Sequence, residues 1–327
     1  MNQNRIIEKK RQKLFGTDGI RGCANTYPMD PNTVLKIGQA VGFYFKKTYK
    51  NPKILIGKDT RRSGYLLEQA LSAGLCSVGA DTFLLGPLPT PGIAYLTRGL
   101  RVSCGIVLSA SHNPFSDNGI KIFSASGYKI DDESEQEIED LLFSGQIKNL
   151  SITGKDLGVC RRIDDAMGQY AVFLKEQFPK HLSLEGVRIV VDCAHGASYK
   201  LAPKVFEELG AEVFVIGNDP NGVNINEGCG ALHPSVLSEK VKLYKANIGI
   251  ALDGDADRLI VVDDDGEVLD GDDILAICAV FSKERGELAE NSLVTTIMSN
   301  KGLELSMAKQ GIKVFRTNVG DRNVVKV

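Results

Sequence analysis

Residues 252–258 read Leu-Asp-Gly-Asp-Ala-Asp-Arg, a carboxylate at every second position between two β-rich runs. In an extended or gently turning segment alternate residues face the same way, so Asp253, Asp255 and Asp257 converge, while Gly254 and Ala256 leave the bend uncrowded. Three carboxylates within about 4 Å of one another repel by roughly 4 kcal/mol per pair at an effective dielectric near 20. Such a set spreads into solvent, raises a pKa, or holds a cation. All-oxygen ligands with few side chains suit Mg²⁺, which keeps room for water or a phosphate oxygen. A surface acidic turn stays open on this spacing alone. A calcium loop of the EF-hand type does not, because its sixth and twelfth places need glycine and glutamate and here hold Arg258 and Asp264. Arg258 is better suited to a phosphate or a sugar.

A second candidate follows a buried-looking strand: Ser109, Ala110, Ser111, His112, Asn113 and Pro114. Ligands of open α/β sheets bind at the carboxyl ends of strands. His112 and Asn113 are able to orient a hydroxyl or a phosphoryl oxygen, and Pro114 stiffens the turn. An ordinary polar turn is the rival reading. A Ser–His–acid hydrolase is the other, disfavoured because the G-x-S-x-G elbow is absent and adjacent Ser111 and His112 should point apart. Taken together the loops explain one another: a phosphoserine carries about −1.5 to −2 charge. A dication held by three aspartates takes one of its oxygens as a further ligand.

The elements that must position these loops alternate between short apolar runs and amphipathic helices. Asp30-Pro31 starts a helix with apolar residues at 34, 37, 38, 41, 42, 44 and 45. A strand at 54–56, a helix over 64–78, a strand around 83–85, a short helix after Pro91 and a strand at 105–108 complete an α/β unit with a largely parallel sheet. The acidic, poorly periodic stretch 131–160 is the expected boundary. A second unit places helices near 164–178, 199–209 and 235–246, and strands at 187–191, 213–216 and 248–252. A third opens with the strand 259–262 and a turn at 264–266. It continues with helices 272–284 and 301–310 and strands 293–298 and 312–316, with no residue-level repeat among the units.

At 327 residues, two or three domains are the prior. With 39 basic and 41 acidic residues, nothing draws the chain to nucleic acid or an anionic membrane, so an anion needs a local site. The basic opening lacks the apolar core of a secretory signal, and no apolar run spans a bilayer. Seven scattered cysteines read as reduced thiols. The location expected is cytoplasmic.

Ser109–Phe115 with Asp117–Lys121, and the acidic run 253–258, resemble the α-D-phosphohexomutases. Leu14–Gly22, Gly57–Arg61, Asp192–Ala197 and Asn221–Asn226 are similar to their bacterial phosphoglucosamine mutase branch. The resemblance implies interconversion of glucosamine 6-phosphate and glucosamine 1-phosphate through a bisphosphate, toward UDP-N-acetylglucosamine. It makes Ser111 the phosphoserine, and Asp253, Asp255 and Asp257 the Mg²⁺ ligands beside its phosphate. Lys121, Arg21 and His112 become catalytic groups near the serine; Arg258, Gly320 and Asp321 become substrate contacts. His195 reads better as a core histidine than as a ligand.

The implied architecture is consecutive mixed or parallel-sheet domains at 1–158, 159–257 (metal loop at its end) and 258–327. Family members also carry a Gly-Glu-Ser-Gly sugar loop and a fourth domain with a phosphate-binding Ser-Gly-Thr loop; neither occurs in this sequence, and Asn323 stands where an aromatic is usual. The expectation is a third domain incomplete, a fourth absent, metal binding retained and turnover reduced. A phosphomannomutase or phosphoglucomutase is the alternative within the class, and a non-catalytic remnant the alternative outside it. A phosphatase is disfavoured because no water-activating base stands out. An apolar edge left on the third domain would favour a homo-oligomer.

Overall fold

The computed structural model describes residues 13–146 and 152–327. The basic opening through residue 12, and positions 147–151 of the expected boundary, lie outside the described residues.

The first domain is built on a six-stranded mixed sheet: β1 (Ile20–Cys23), β2 (Lys53–Lys58), β3 (Asp81–Pro87), β4 (Cys104–Leu108), β5 (Asp117–Ser124) and β6 (Cys160–Arg162), in the order β1-β5-β4-β2-β3-β6. The pairs among β4, β2, β3 and β6 are parallel, and β5 runs antiparallel to both neighbours. Helices α1 (Pro31–Lys46) and α2 (Arg62–Ser77) cover one face, against Ile54, Ile56, Ile106 and Leu108. α1 begins where its sequence dictates, with Pro31 in the first turn and the Asp30 carboxylate accepting the Thr33 amide at 3.0 Å. The opposite face carries α3 (Thr90–Gly99) over Leu55, Val107 and Phe123.

The acidic stretch expected to mark a boundary is in its first half α4 (Asp132–Ser144), which buries Ile138 and Leu141 against the α1 side of the core. Its Glu139 carboxylate accepts the amides of Leu14 and Phe15, both at 2.8 Å. A high acidic count hid a one-sided helix.

The second domain has α5 (Ala166–Gln177), β7 (Arg188–Asp192), α6 (Leu201–Glu208), β8 (Glu212–Ile216), α7 (Pro234–Tyr244), β9 (Ile248–Leu252), β10 (Leu259–Asp263) and β11 (Val268–Leu269). Its sheet order is β11-β10-β9-β7-β8. Strand membership differs from the expected division at both joints. β6 completes the first sheet by pairing with β3, so a cut at 158/159 severs it. β10 pairs antiparallel with β9, so the metal loop is the link inside a hairpin and not the end of a domain. The reason is local: a six-residue connection returns the chain directly beside β9. The third domain holds α8 (Gly271–Glu284), a parallel pair β12 (Ser292–Thr296) and β13 (Lys313–Thr317), α9 (Lys301–Lys309) and the short α10 (Asp321–Val325). Among the described residues no helix is long and apolar enough to cross a membrane.

α1 and α2 cross closely. A Cβ on Gly74 would come 2.1 Å from the Leu35 carbonyl oxygen, so only glycine fits without moving a backbone. Gly74→Ala is expected to lower stability by about 1–3 kcal/mol, read from the midpoint of urea unfolding.

Candidate active site

Both parallel strands that point into the site end in charged or hydroxylated residues. β2 runs into Asp59, Thr60 and Arg61, while β4 runs into Ser109, Ala110 and Ser111. Ser111 is 2% exposed and has φ 53°, a left-handed conformation that costs a non-glycine residue roughly 1–2 kcal/mol. Its amide donates to Ser109 Oγ at 2.9 Å. Its Oγ donates to Asp253 Oδ2 at 2.6 Å, joining the serine loop to the acidic loop across 142 residues of sequence.

The three aspartates converge by a different device from simple alternation. The loop turns tightly at Ala256, φ 55°, and the Asp257 and Arg258 amides fold back onto Asp253 Oδ1, each at 3.2 Å. One oxygen from each carboxylate then lies within 4.8 Å of the other two. Gly254 permits the close approach, since a Cβ there would stand 2.7 Å from the Ser111 carbonyl oxygen.

Lys121, 2% exposed on β5, puts its ammonium 2.9 Å from Asp255 Oδ2, 3.1 Å from Asp257 Oδ2 and 3.2 Å from Asp18 Oδ2. Burial opposes that charge, but the three carboxylates outweigh it and hold the lysine protonated, well above its ordinary range. Asp255 feels burial most, yet Lys121 and the Thr90 hydroxyl, 2.7 Å from Oδ2, keep it below the usual carboxylate value. Asp253 lacks a cation: burial, then the charges of Asp255 and Asp257, push it up to about 7. Asp257 is raised for the same first two reasons, burial and Asp255.

Of the other expected site residues, Arg21 pairs with Asp18, and Asp18 also meets Lys129 Nζ at 2.5 Å. His112 Nδ1 lies 3.4 Å from Ser111 Oγ, so the two side chains do not point apart. Burial, followed by the charges of Arg258 and Arg21, holds His112 below its ordinary pKa and neutral at pH 7. Asp321 reaches the edge of this network, its carboxylate 2.8 Å from Lys129 Nζ, and Gly320, φ 124°, precedes α10 beside it. His195 is half-buried, not a core histidine, and its Nδ1 accepts the Asp219 amide at 3.2 Å.

Sequence reasoning gave no role to Asp59, Arg61, Thr90, Asp18, Lys129 or Asn226. Asp59 and Arg61 had a usable signal: opposite charges two apart at the end of a buried strand. They form a fully buried ion pair, and Arg61 Nη2 donates to the carbonyls of Ser111 at 3.1 Å and Asn113 at 2.5 Å.

The donor set fits a hard dication. All three ligands are carboxylates, and Asp255 Oδ1 is buried with no hydrogen-bond partner. The arrangement sets a hydroxyl, a turn of three carboxylates and a fixed ammonium around one point, a geometry compatible with phosphoryl transfer.

Fold and site together define a phosphohexomutase. The chain belongs to the phosphoglucomutase/phosphomannomutase family, whose alpha/beta/alpha domains I, II and III match residues 12–148, 169–266 and 270–327. It is 57% identical over 315 residues to the phosphoglucosamine mutase of Citrifermentans bemidjiense, covering 96% of this chain and 69% of that one. The Bdellovibrio bacteriovorus phosphoglucosamine mutase is 55% identical over 323 residues, with 97% and 71% covered. Among solved structures, a phosphoglucomutase/phosphomannomutase family protein from Burkholderia thailandensis superposes with a TM-score of 0.82 at 27% identity, covering 96% of this chain and 68% of that one.

Gly254→Ala is expected to break the Ser111–Asp253 contact and destabilise the protein by about 1–3 kcal/mol, because the added methyl meets backbone. Denaturant unfolding measures the loss; a wild-type midpoint would mean the loops separate freely.

Proposed function

We propose that this chain interconverts glucosamine 6-phosphate and glucosamine 1-phosphate, with Ser111 carrying the phosphoryl group between turns. The observation that carries the reading is the 2.6 Å contact between Ser111 Oγ and Asp253, at the head of the three-aspartate turn. The names of the relatives at 55–57% identity supply the amino sugar as substrate.

Asp253, Asp255 and Asp257 would hold Mg²⁺ beside the phosphoserine. When bound, the ion withdraws charge from the phosphoryl group and so favours its transfer. Lys121, kept protonated by its three carboxylates, acts as a fixed positive charge for the equatorial oxygens and not as a base. His112, neutral and beside Ser111 Oγ, is the group able to take the proton of the attacking sugar hydroxyl. The P–O bond to Ser111 breaks as the P–O bond to the sugar forms, and the proton returns to Ser111 Oγ. The resulting bisphosphate turns round and gives its other phosphate back to the serine. Arg21 would add a further positive charge near the serine, while Arg258, Gly320 and Asp321 would contact the sugar phosphate. A glucose- or mannose-phosphate mutase is the competing reading, favoured by the description of the Burkholderia structure.

Incubation with glucosamine 1,6-bisphosphate should add one phosphoryl group to the intact mass, and Ser111→Ala should abolish it. No uptake by the wild type would sink the reading; faster uptake from glucose or mannose bisphosphate would move it to the competing substrate. Mg²⁺ at about a hundred times its Kd should stabilise the protein by about 2.7 kcal/mol, a gain lost in Asp255→Asn. Because the ion must displace the proton of Asp253, held near pH 7, its affinity should rise between pH 6 and 8 in calorimetric titrations and level off above. A flat profile would mean that no proton leaves Asp253 on binding in this range.

A further inference from the structure

Asp253 holds the side chain of Ser111, and a different residue of the second domain holds its main chain. The carbonyl oxygens of Ser111 and Asn113 face one spot, where the Asn226 side-chain nitrogen stands 2.9 Å from the first and 3.1 Å from the second. A primary amide has two N–H bonds, one for each carbonyl. Arg61 approaches the same two oxygens from the first domain and is fixed there by its ion pair with Asp59. Each carbonyl therefore accepts from one donor of each domain.

Asn226 is itself held firmly. It is 8% exposed, has φ 61°, and its own amide donates to the Ala194 carbonyl at 2.9 Å. Its loop is tied to the start of α2 by the Arg62 amide on the Gly222 carbonyl at 2.9 Å, and in the link before α2 the Thr60 hydroxyl donates to the His195 carbonyl at 2.5 Å. These bonds place the amide where it can hold the left-handed bend at Ser111, a conformation a serine does not keep unaided.

We propose that Asn226 is the positioning residue for Ser111: docking of the second domain delivers its amide to the serine loop and fixes the bend that aims Oγ at the transferred phosphorus. Asn226 touches neither substrate nor metal ligand in this role; it acts through the Ser111 and Asn113 carbonyls. The inference rests on Ser111 being the phosphoryl carrier.

Two substitutions separate positioning from packing. Asn226→Asp keeps the size and the left-handed preference but removes both donors and sets negative charge against two carbonyls. Asn226→Gly keeps the backbone conformation and removes the side chain. The readout is the rate at which the full chain takes phosphoryl from glucosamine 1,6-bisphosphate. The P–O bond to the sugar breaks, that to Ser111 Oγ forms, and the serine proton passes to the sugar oxygen.

Both variants should slow uptake about ten- to a hundredfold at saturating bisphosphate, Asp more than Gly, with the half-saturating concentration shifted by less than about twofold. Amide hydrogen exchange of the peptide over 109–113 should quicken in both. Wild-type rates in Asn226→Asp, a loss confined to the half-saturating concentration, or a larger loss in the glycine variant that follows its melting temperature would overturn the proposal. If the wild type takes no phosphoryl, the function proposed above fails, and exchange over 109–113 alone decides whether Asn226 holds the loop: unchanged exchange refutes it.

Discussion

Three carboxylates crowded into one turn repel one another, and much of the neighbouring structure serves to contain them. A single buried ammonium, Lys121, meets two of them and a fourth carboxylate outside the loop. Asp253 has a serine hydroxyl and two backbone amides, which favour its ionised form, but burial and then the charges of Asp255 and Asp257 outweigh them and push it up to about 7. Asp18 has Arg21 and Lys129 besides, but the three acids of the loop share Lys121 as their one ion-pair partner among the described residues. The remaining imbalance is what the proposed dication would offset.

The mixed sheet of the first domain follows from the same requirement. In an all-parallel sheet the strand after β4 would leave from the far end and need a crossover. Here β5 turns back antiparallel beside β4, which puts Lys121 and the serine loop on adjacent strands at one end of the sheet. The second domain brings the acids by an equally local route, a short link inside the β9–β10 hairpin. The two domains also share apolar core: Tyr170, Leu201 and Val205 pack with Leu55, Leu88 and Ile93. Loop meets loop because the scaffolds beneath them are continuous.

Most strands and helices were legible because their periodicity is strong: α1 buries positions 34, 37, 38, 41, 42 and 45 of the seven read from the sequence. β1, β5 and β6 were not. β6 has three residues, all exposed, and no pattern distinguishes such an edge from a loop. β5 is buried nearly throughout but contains Asp117, Asn118 and Lys121, polar groups placed for the site and not for the strand. At both expected joints a strand pairs across the division, since composition reports solvent exposure and says little about which sheet a short strand will enter. Within the site, Ser111 and the three aspartates stood out by type and spacing. Asn226 did not, because it acts on carbonyl oxygens, and the chain gives no sign of which carbonyls will lack a partner.

The third domain meets the first in another manner. Lys129 reaches Asp321, and Arg322 reaches Asp132 and Glu135, but the Asp321 and Asp132 side chains are 79% and 81% exposed. Ion pairs so open to water are worth about 0–1 kcal/mol each and weaken as salt is added. The third pair is different, since the Glu135 side chain that receives Arg322 is only 4% exposed, so the contact combines two open ion pairs with one shielded from salt. Because Lys129 also grips Asp18, and Asp18 grips Lys121, a chain of ion pairs runs from an exposed carboxylate of the third domain to the buried ammonium beside the three aspartates.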